Sequence, residues 1–166
     1  CPPIRENANR ERLWQALQEG HIDFIVSDHS PCTPQLKVME SGDIGDAWGG
    51  ISALQFGLSL IWTEGKQRGF SLIDLAQLMA ESPARIAGLG KFKGRIAPGY
   101  DADFCIFDPD AQQTVTPENI KHRHKISPYL GKTLTGQVLE TWLRGQPIFR
   151  QDRYTGRARG KSLLKT

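Results

Sequence analysis

Cysteine is scarce in this chain, which has three cysteines (Cys1, Cys32 and Cys105) among 166 residues. An odd number of widely spaced cysteines does not form a disulfide framework, so the class of small disulfide-stapled secreted domains is excluded. The same scarcity favours a reducing compartment, and the cytoplasm is the default expectation.

Long hydrophobic runs are also missing. No stretch approaches the roughly 20 apolar residues that a transmembrane helix requires, and no secretory signal peptide is visible. The proportions of hydrophobic (39%) and charged (23%) residues are those of an ordinary globular protein. We therefore expect no membrane partner.

The chain begins with Cys1-Pro2-Pro3 instead of methionine and reaches a helical pattern almost at once. We interpret it as a fragment of a longer protein. An N-terminal cysteine could also serve as the nucleophile of a hydrolase whose own α-amine is the base. The helix-rich first half disfavours that alternative.

Acidic residues are rare near the end of the chain, where basic residues concentrate. Residues 1–120 contain 10 Lys and Arg against 16 Asp and Glu, whereas residues 121–166 contain 11 against 2. A basic segment can bind nucleic acid. This one has few aromatic residues, no recognised binding motif and strand-like apolar positions, so we expect a solvated surface and no nucleic-acid partner.

Hydrophobic periodicity changes near residue 91. The first half predicts helices over 9–20 and 51–65 and two more helices within 71–89. It also predicts a short buried strand over 22–26 and a long polar loop over 27–50. Asn9 and Ser82 are predicted helix caps, Ser71 with Asp74 a capping box, and Gly65 a helix stop. From residue 94 onward, β-branched and aromatic residues around turns predict two strand–turn–strand units. One strand cannot complete a sheet, which again indicates a fragment.

The stretch 26–32, Val-Ser-Asp-His-Ser-Pro-Cys, gathers four residue types that bind metals or carry out acid–base and nucleophilic chemistry. Asp28 directly follows the predicted strand, where α/β folds place functional groups. The alternative is a structural aspartate whose side chain accepts a hydrogen bond from the backbone of Ser30. The residues alone leave both interpretations open.

Other candidate clusters favour structural roles. His29 and Cys32 have zinc-ligand spacing, but no second cluster completes a four-ligand site, and adjacent Asp, His and Ser residues do not form a catalytic triad. His122 and His124 resemble a metal-binding pair, yet the basic residues around them oppose cation binding. An anion contact or a plain surface remains possible there. Asp101 and Asp103 are either paired carboxylates or solvent-facing turn residues.

Four stretches together resemble a known family. They are residues 26–32, 47–55 (AWGGISALQ), 93–110 (KGRIAPGYDADFCIFDPD) and 122–149 (HRHKISPYLGKTLTGQVLETWLRGQPIF). This combination resembles the C-terminal part of the allantoinases, which are cyclic amidohydrolases related to dihydroorotase, hydantoinase and dihydropyrimidinase. Part of the third stretch, from Lys93 to Phe104, is common to the wider superfamily, whereas the combination points to the allantoinases.

The resemblance implies an α/β fold, a TIM-like (β/α)8 barrel with a small β-sandwich. Residues 1–90 would supply the last barrel strand and its flanking helices, and residues 91–166 part of the sandwich and a basic tail. Asp28 would be a metal ligand that also shuttles the proton. The other implied site residues border the substrate, and they are Cys1, Pro3, Ser30, Cys32 and Gly49.

The implied reaction is metal-dependent hydrolysis of a cyclic amide, allantoin to allantoate, in purine breakdown. The implied cofactor is a binuclear zinc centre, with other divalent metals as alternatives, and the implied assembly is a homotetramer. Dihydroorotases typically carry histidine where this chain has Cys32, and cysteine suits an uncharged hydantoin ring. The remaining family ligands have no counterpart here, so we expect the chain alone to be inactive. Hydantoinase or dihydropyrimidinase activity and a non-catalytic scaffold are the alternatives.

Overall fold

The computed structural model describes residues 6–156 and 158–163. Within these residues, four α-helices and two short 3-10 turns lie in the first half of the chain, and four strands lie in the second. The helices are α1 (Asn7–Gln18), α2 (Gly57–Gln67), α3 (Leu72–Ala76) and α4 (Ser82–Ile86), with 3-10 turns at Pro34–Lys37 and Leu54–Phe56. The strands β1 (Phe104–Thr114), β2 (Thr133–Leu143), β3 (Gln146–Arg150) and β4 (Arg153–Tyr154) form one antiparallel sheet in chain order. None of these helices is long and apolar enough to cross a membrane.

The strand predicted over 22–26 does not form a strand ladder, so that prediction is wrong for this chain. A parallel strand needs neighbours that share its hydrogen bonds. Among the described residues, the only backbone hydrogen bond of this segment runs from the Ile25 N–H to the Leu78 carbonyl (2.9 Å). A single parallel bridge follows, between His29 and Ile51.

The Leu78 carbonyl can accept the Ile25 N–H because no helical N–H uses it. A π-helical turn, Gln77–Glu81, joins α3 to α4, and the Ser82 N–H donates to Gln77 instead of Leu78. Pro83 has no N–H to offer to the turn before it. The Leu78 carbonyl is therefore available to the Ile25 N–H. The helix thus anchors the segment that leads to Asp28.

The helix boundaries confirm one predicted cap. Ser71 and Asp74 form the capping box: the Ser71 Oγ accepts the Asp74 N–H (3.2 Å), and the Asp74 carboxylate accepts the Ser71 N–H (2.7 Å). Hydrogen bonds from the Ser71 backbone and hydroxyl lower the pKa of Asp74. Asn9 is not a cap, because α1 starts two residues earlier and Glu6 occupies the cap position.

Two other helix-end predictions are wrong for packing reasons. Gly65 lies inside α2, which continues to Gln67, and it packs against Phe70 and Trp14. Ser82 is a buried first-turn residue of α4 and not its cap, since the π-helical turn leads directly into α4.

Only one of the two predicted β-hairpins forms. β2 and β3 are joined by Arg144-Gly145, both with positive φ (48° and 73°), the conformation of a type I′ turn. Residues 94–103 form turns and no strand, and β1 pairs instead with the distant β2. The described residues contain a single sheet, so the β-sandwich stays a prediction.

A shared hydrophobic core joins the two halves of the chain. Phe56 precedes α2, and it packs with Val115, Ile120 and Leu134, all at most 3% exposed. The Thr63 hydroxyl also accepts the β2 N–H of Thr135 at 2.8 Å. The connection between β1 and β2, residues 115–132, is consequently fixed against the start of α2. The division of the chain at residue 91 stays a prediction.

Candidate active-site loop

Asp28 occupies an uncommon backbone conformation. Its φ is +42°, in the left-handed region that few residues other than glycine adopt, with aspartate and asparagine the commonest exceptions. The side chain is exposed. The Ser30 N–H, which a structural aspartate turn would use, donates to the Ile51 carbonyl at 3.0 Å. The predicted hydrogen bond from the Ser30 backbone to the Asp28 side chain therefore does not form, and the functional role of Asp28 stays a prediction.

Such a conformation persists only where the surroundings hold it in place. On one side of Asp28, Ile25 is bonded to the helical turn at Leu78. On the other side, His29 and Ser30 are bonded to the segment that contains Ile51. These two anchors present the Asp28 carboxylate at the surface.

His29 is a structural anchor, as the sequence favours. Its Nδ1 accepts the backbone N–H groups of Ala53 and Leu54, both at 3.1 Å. An accepting Nδ1 places the proton of the neutral ring on Nε2. His29, which directly follows Asp28, is therefore bonded to the start of the 3-10 turn before α2.

The predicted substrate-bordering residues occupy different environments. Ser30 lies against Gly50, and the free thiol of Cys32 is buried, with 7% of the residue exposed. Gly49 is exposed at the end of the long loop. Cys1 and Pro3 lie outside the described residues. The roles of all five residues stay predictions.

The long loop 33–50 is closed by one lysine. Lys37 Nζ donates to the carbonyls of Trp48 (2.9 Å) and Gly50 (2.7 Å), and the Trp48 N–H donates to Leu36 (2.7 Å). Loops of this length inside a domain are usually functional. These bonds bring the loop's end back beside Ser30.

Sequence reasoning missed the 115–132 connection as part of this region. The Gln55 side chain donates to the Asn119 carbonyl (2.8 Å) and accepts the Lys121 N–H (2.6 Å). The Ser127 hydroxyl donates to the Ser52 carbonyl (2.8 Å). These bonds dock the connection on the segment that also holds His29. The motif HRHKISPY marked this stretch in the sequence, but only as a candidate histidine pair.

His122 packs against His29 and does not form a metal pair with His124. The two rings of His122 and His29 meet edge to face, with centroids 5.4 Å apart. Burial, followed by the proximity of His29, lowers the pKa of His122. A lowered pKa disfavours the protonated ring that would attract an anion, and the anion contact stays a prediction.

The metal-binding capacity of the chain is limited. Within 6–156 and 158–163, no three His, Cys, Asp or Glu side chains converge where they could hold a metal ion. Asp28 offers one exposed carboxylate, which suits a single ligand position. Further ligands for a metal centre must come from outside these residues.

Asp101 and Asp103 share a lysine and do not form a carboxylate pair. Lys93 Nζ lies 2.7 Å from Asp101 and 2.5 Å from Asp103, and Asp103 also accepts the Arg144 N–H at 2.8 Å. Burial alone would raise the pKa of Asp103, but the bonds from Lys93 and Arg144 outweigh it and lower that pKa. The cluster fastens the turns before β1 to the β2–β3 hairpin.

Replacing Lys93 with methionine is expected to destabilise the protein by about 1–3 kcal/mol at pH 7, because two partly buried carboxylates lose their partner. The lowered pKa of Asp103 makes its stabilisation complete above pH 3.8, the ordinary aspartate value, and lost as the pH falls through the folded-state pKa. The difference between variant and wild type should therefore shrink on acidification, as thermal unfolding from pH 7 to 3 would measure. Exposed Lys91→Met is the control, and an equal loss in both variants would contradict the role of Lys93.

Comparisons with known proteins identify the family of this chain. The model of the amidohydrolase family matches residues 4–148, most of the chain. The chain belongs to the amidohydrolase family. The allantoinase of Streptomyces avermitilis is 50% identical over 155 residues, covering 93% of this chain and 34% of that protein. A probable allantoinase of Oryza sativa subsp. japonica is 47% identical over 166 residues, covering 99% and 32%.

Solved amidohydrolase structures share the fold. An L-hydantoinase (dihydropyrimidinase) from Arthrobacter aurescens has a TM-score of 0.86 at 33% identity, covering 94% of this chain and 35% of that one. A dihydropyrimidinase from Brevibacillus agri also has a TM-score of 0.86, at 29% identity, covering 93% and 34%. The chain spans about a third of the length of the amidohydrolase relatives that it matches.

Proposed function

We propose that the enzyme containing this chain hydrolyses allantoin to allantoate in purine breakdown. The observation that carries the proposal is Asp28, an exposed carboxylate held in a left-handed conformation in a chain 43–50% identical to several proteins named allantoinase. The hydantoinase and dihydropyrimidinase structures are 27–33% identical, so hydantoin or dihydropyrimidine hydrolysis is the second candidate.

The proposed architecture is a TIM-like barrel with a β-sandwich. Residues 1–90 would contribute the last barrel strand with flanking helices, and residues 91–166 part of the sandwich. Two observations support this assignment. One is the parallel bridge between His29 and Ile51. The other is the segment 21–28, which pairs with no strand among the described residues and whose ladder partners would be other barrel strands. The proposed assembly is a homotetramer in the cytoplasm.

Asp28 would act as a ligand and a proton carrier. A binuclear zinc centre, or another pair of divalent metals, would activate water and polarise the ring carbonyl. The Asp28 carboxylate would be one of the groups that hold the metals. The carboxylate would accept the proton of the attacking water and deliver it to the ring nitrogen that leaves. The exposed position and fixed backbone of Asp28 suit such a transfer, which requires short, constant distances.

The substrate pocket would be bordered by uncharged groups. Ser30, Cys32 and Gly49 lie in or beside the loop that follows Asp28, and Cys1 and Pro3 would complete the border. Cys32 contributes a buried, uncharged thiol, which suits an uncharged ureide ring better than a carboxylated one.

The test is a chimaera in which this chain replaces the matching third of the Streptomyces avermitilis allantoinase. We expect zinc-loaded chimaera to hydrolyse allantoin with a kcat/KM at least about tenfold above that for hydantoin or dihydrouracil, a margin of about 1.4 kcal/mol in transition-state binding. Preference for hydantoin or dihydrouracil would support the second candidate. A folded, metal-loaded chimaera without hydrolysis of any of the three would support a non-catalytic scaffold. The isolated chain, assayed in parallel, is expected to be inactive.

A further inference from the structure

We propose that His122 is a positioning residue for the candidate active site, holding His29 in place and through it the backbone of Asp28. The proposal rests on the proposed function, because it assigns His122 a part in the same hydrolysis. His122 lies more than 90 positions after Asp28 along the chain.

The first step is the contact between the two rings. His29 follows Asp28 directly, and its ring is fixed at Nδ1 by the N–H groups of Ala53 and Leu54. The His122 ring meets it edge to face at 5.4 Å, with 63° between the ring planes. Aromatic pairs prefer this arrangement, and it restricts the tilt of the His29 ring.

The second step is the burial of His122. Both ring nitrogens are buried, and no donor or acceptor among the described residues reaches them. A buried polar group without a partner destabilises a fold, so a histidine at this position calls for an explanation. Since no such bond forms within the described part of the chain, the ring contributes its shape and its contact with His29.

The third step is the stiffness of the support. His122 lies two residues after Ile120, which is fully buried in the core with Phe56. Gln55 and Ser127 bond the same connection to the segment that contains Ala53. Because His122 is attached to this rigid core, its ring cannot move away when the His29 ring moves. Because Asp28 has a strained φ of +42°, a looser His29 would let Asp28 relax out of position.

The experiment compares three variants in the allantoinase chimaera. His122→Ala removes the ring that contacts His29. It is expected to lower kcat about tenfold or more, with KM for allantoin changed less than about threefold. The reason is that misplacing a reacting group by about 1 Å can cost 10²-fold in rate. His122→Phe keeps an aromatic ring against His29 and removes the two unpartnered nitrogens. It is expected to retain at least about half of kcat and to raise the melting temperature. His124→Ala in the same motif is the matched control, with kcat unchanged.

Rates are expressed per bound zinc and measured well below the melting temperature, so that unfolding does not imitate a loss of kcat. His122→Ala that melts earlier but keeps kcat would overturn the proposal, since His122 would then only stabilise the fold. His122→Phe as slow as His122→Ala would overturn it too, since a ring nitrogen would then be required. A wild-type chimaera that does not hydrolyse allantoin would instead refute the proposed function.

Discussion

Replacing Asp28 with asparagine in the allantoinase chimaera is expected to abolish allantoin hydrolysis, with kcat falling by at least about 10³-fold. Asparagine tolerates a positive φ nearly as well as aspartate, so the backbone at +42° should be retained. The amide is a poorer metal ligand than a carboxylate and cannot accept the proton at neutral pH. The variant therefore removes the proposed chemistry while keeping the shape of the loop.

The measurement combines the rate of allantoate formation with the zinc content of the purified chimaera. Asp23→Asn is the matched control, because Asp23 is an exposed aspartate in the same segment, five residues before Asp28. Its activity and zinc content should match those of the wild type. An Asp28→Asn chimaera with more than about a tenth of wild-type kcat would remove Asp28 from the mechanism.

Replacing Gly50 with alanine is expected to lower the activity of the chimaera about 10- to 100-fold, by displacing Ser30. Gly50 has a φ of +87°, and an added Cβ would lie 2.2 Å from the Ser30 Oγ and 2.9 Å from its carbonyl oxygen. Left-handed strain costs about 1–2 kcal/mol, and the collision comes in addition. Relief of the collision must move Ser30, two residues from Asp28, and shifts of about 1 Å near reacting groups can cost 10²-fold.

Gly42→Ala separates the strain from the collision. Gly42 lies in the same loop with a φ of +66°, but an added Cβ would meet nothing within 4 Å. Both variants should lose stability from strain, with a larger fall in melting temperature for Gly50→Ala because of its collision, and only Gly50→Ala should lose most of its kcat. Equal activities in the two variants would show that the contact of Gly50 with Ser30 does not position the candidate site.

Local chemistry was predictable wherever neighbouring residues determine it. The Ser71–Asp74 capping box is confirmed, since its two hydrogen bonds join residues three positions apart. The β2–β3 hairpin is confirmed for the same reason, because Arg144-Gly145 sets the turn by itself. The strand over 22–26 is wrong, because a strand needs partners and the apolar pattern shows only that it could be buried.

The sequence by itself determined the family and singled out Asp28, because these depend on the order of residues in a few short stretches. Only the tertiary structure decided how Asp28 is held. The Leu78 carbonyl is available to the Ile25 N–H because the π-helical turn directs the Ser82 N–H to Gln77 and Pro83 has no N–H. That turn depends on how the helices pack. His122 reaches His29 because the shared core around Phe56 and Ile120 brings the 115–132 connection back onto α2. Contacts between residues so far apart along the chain leave no periodicity in the sequence, because they depend on three-dimensional packing.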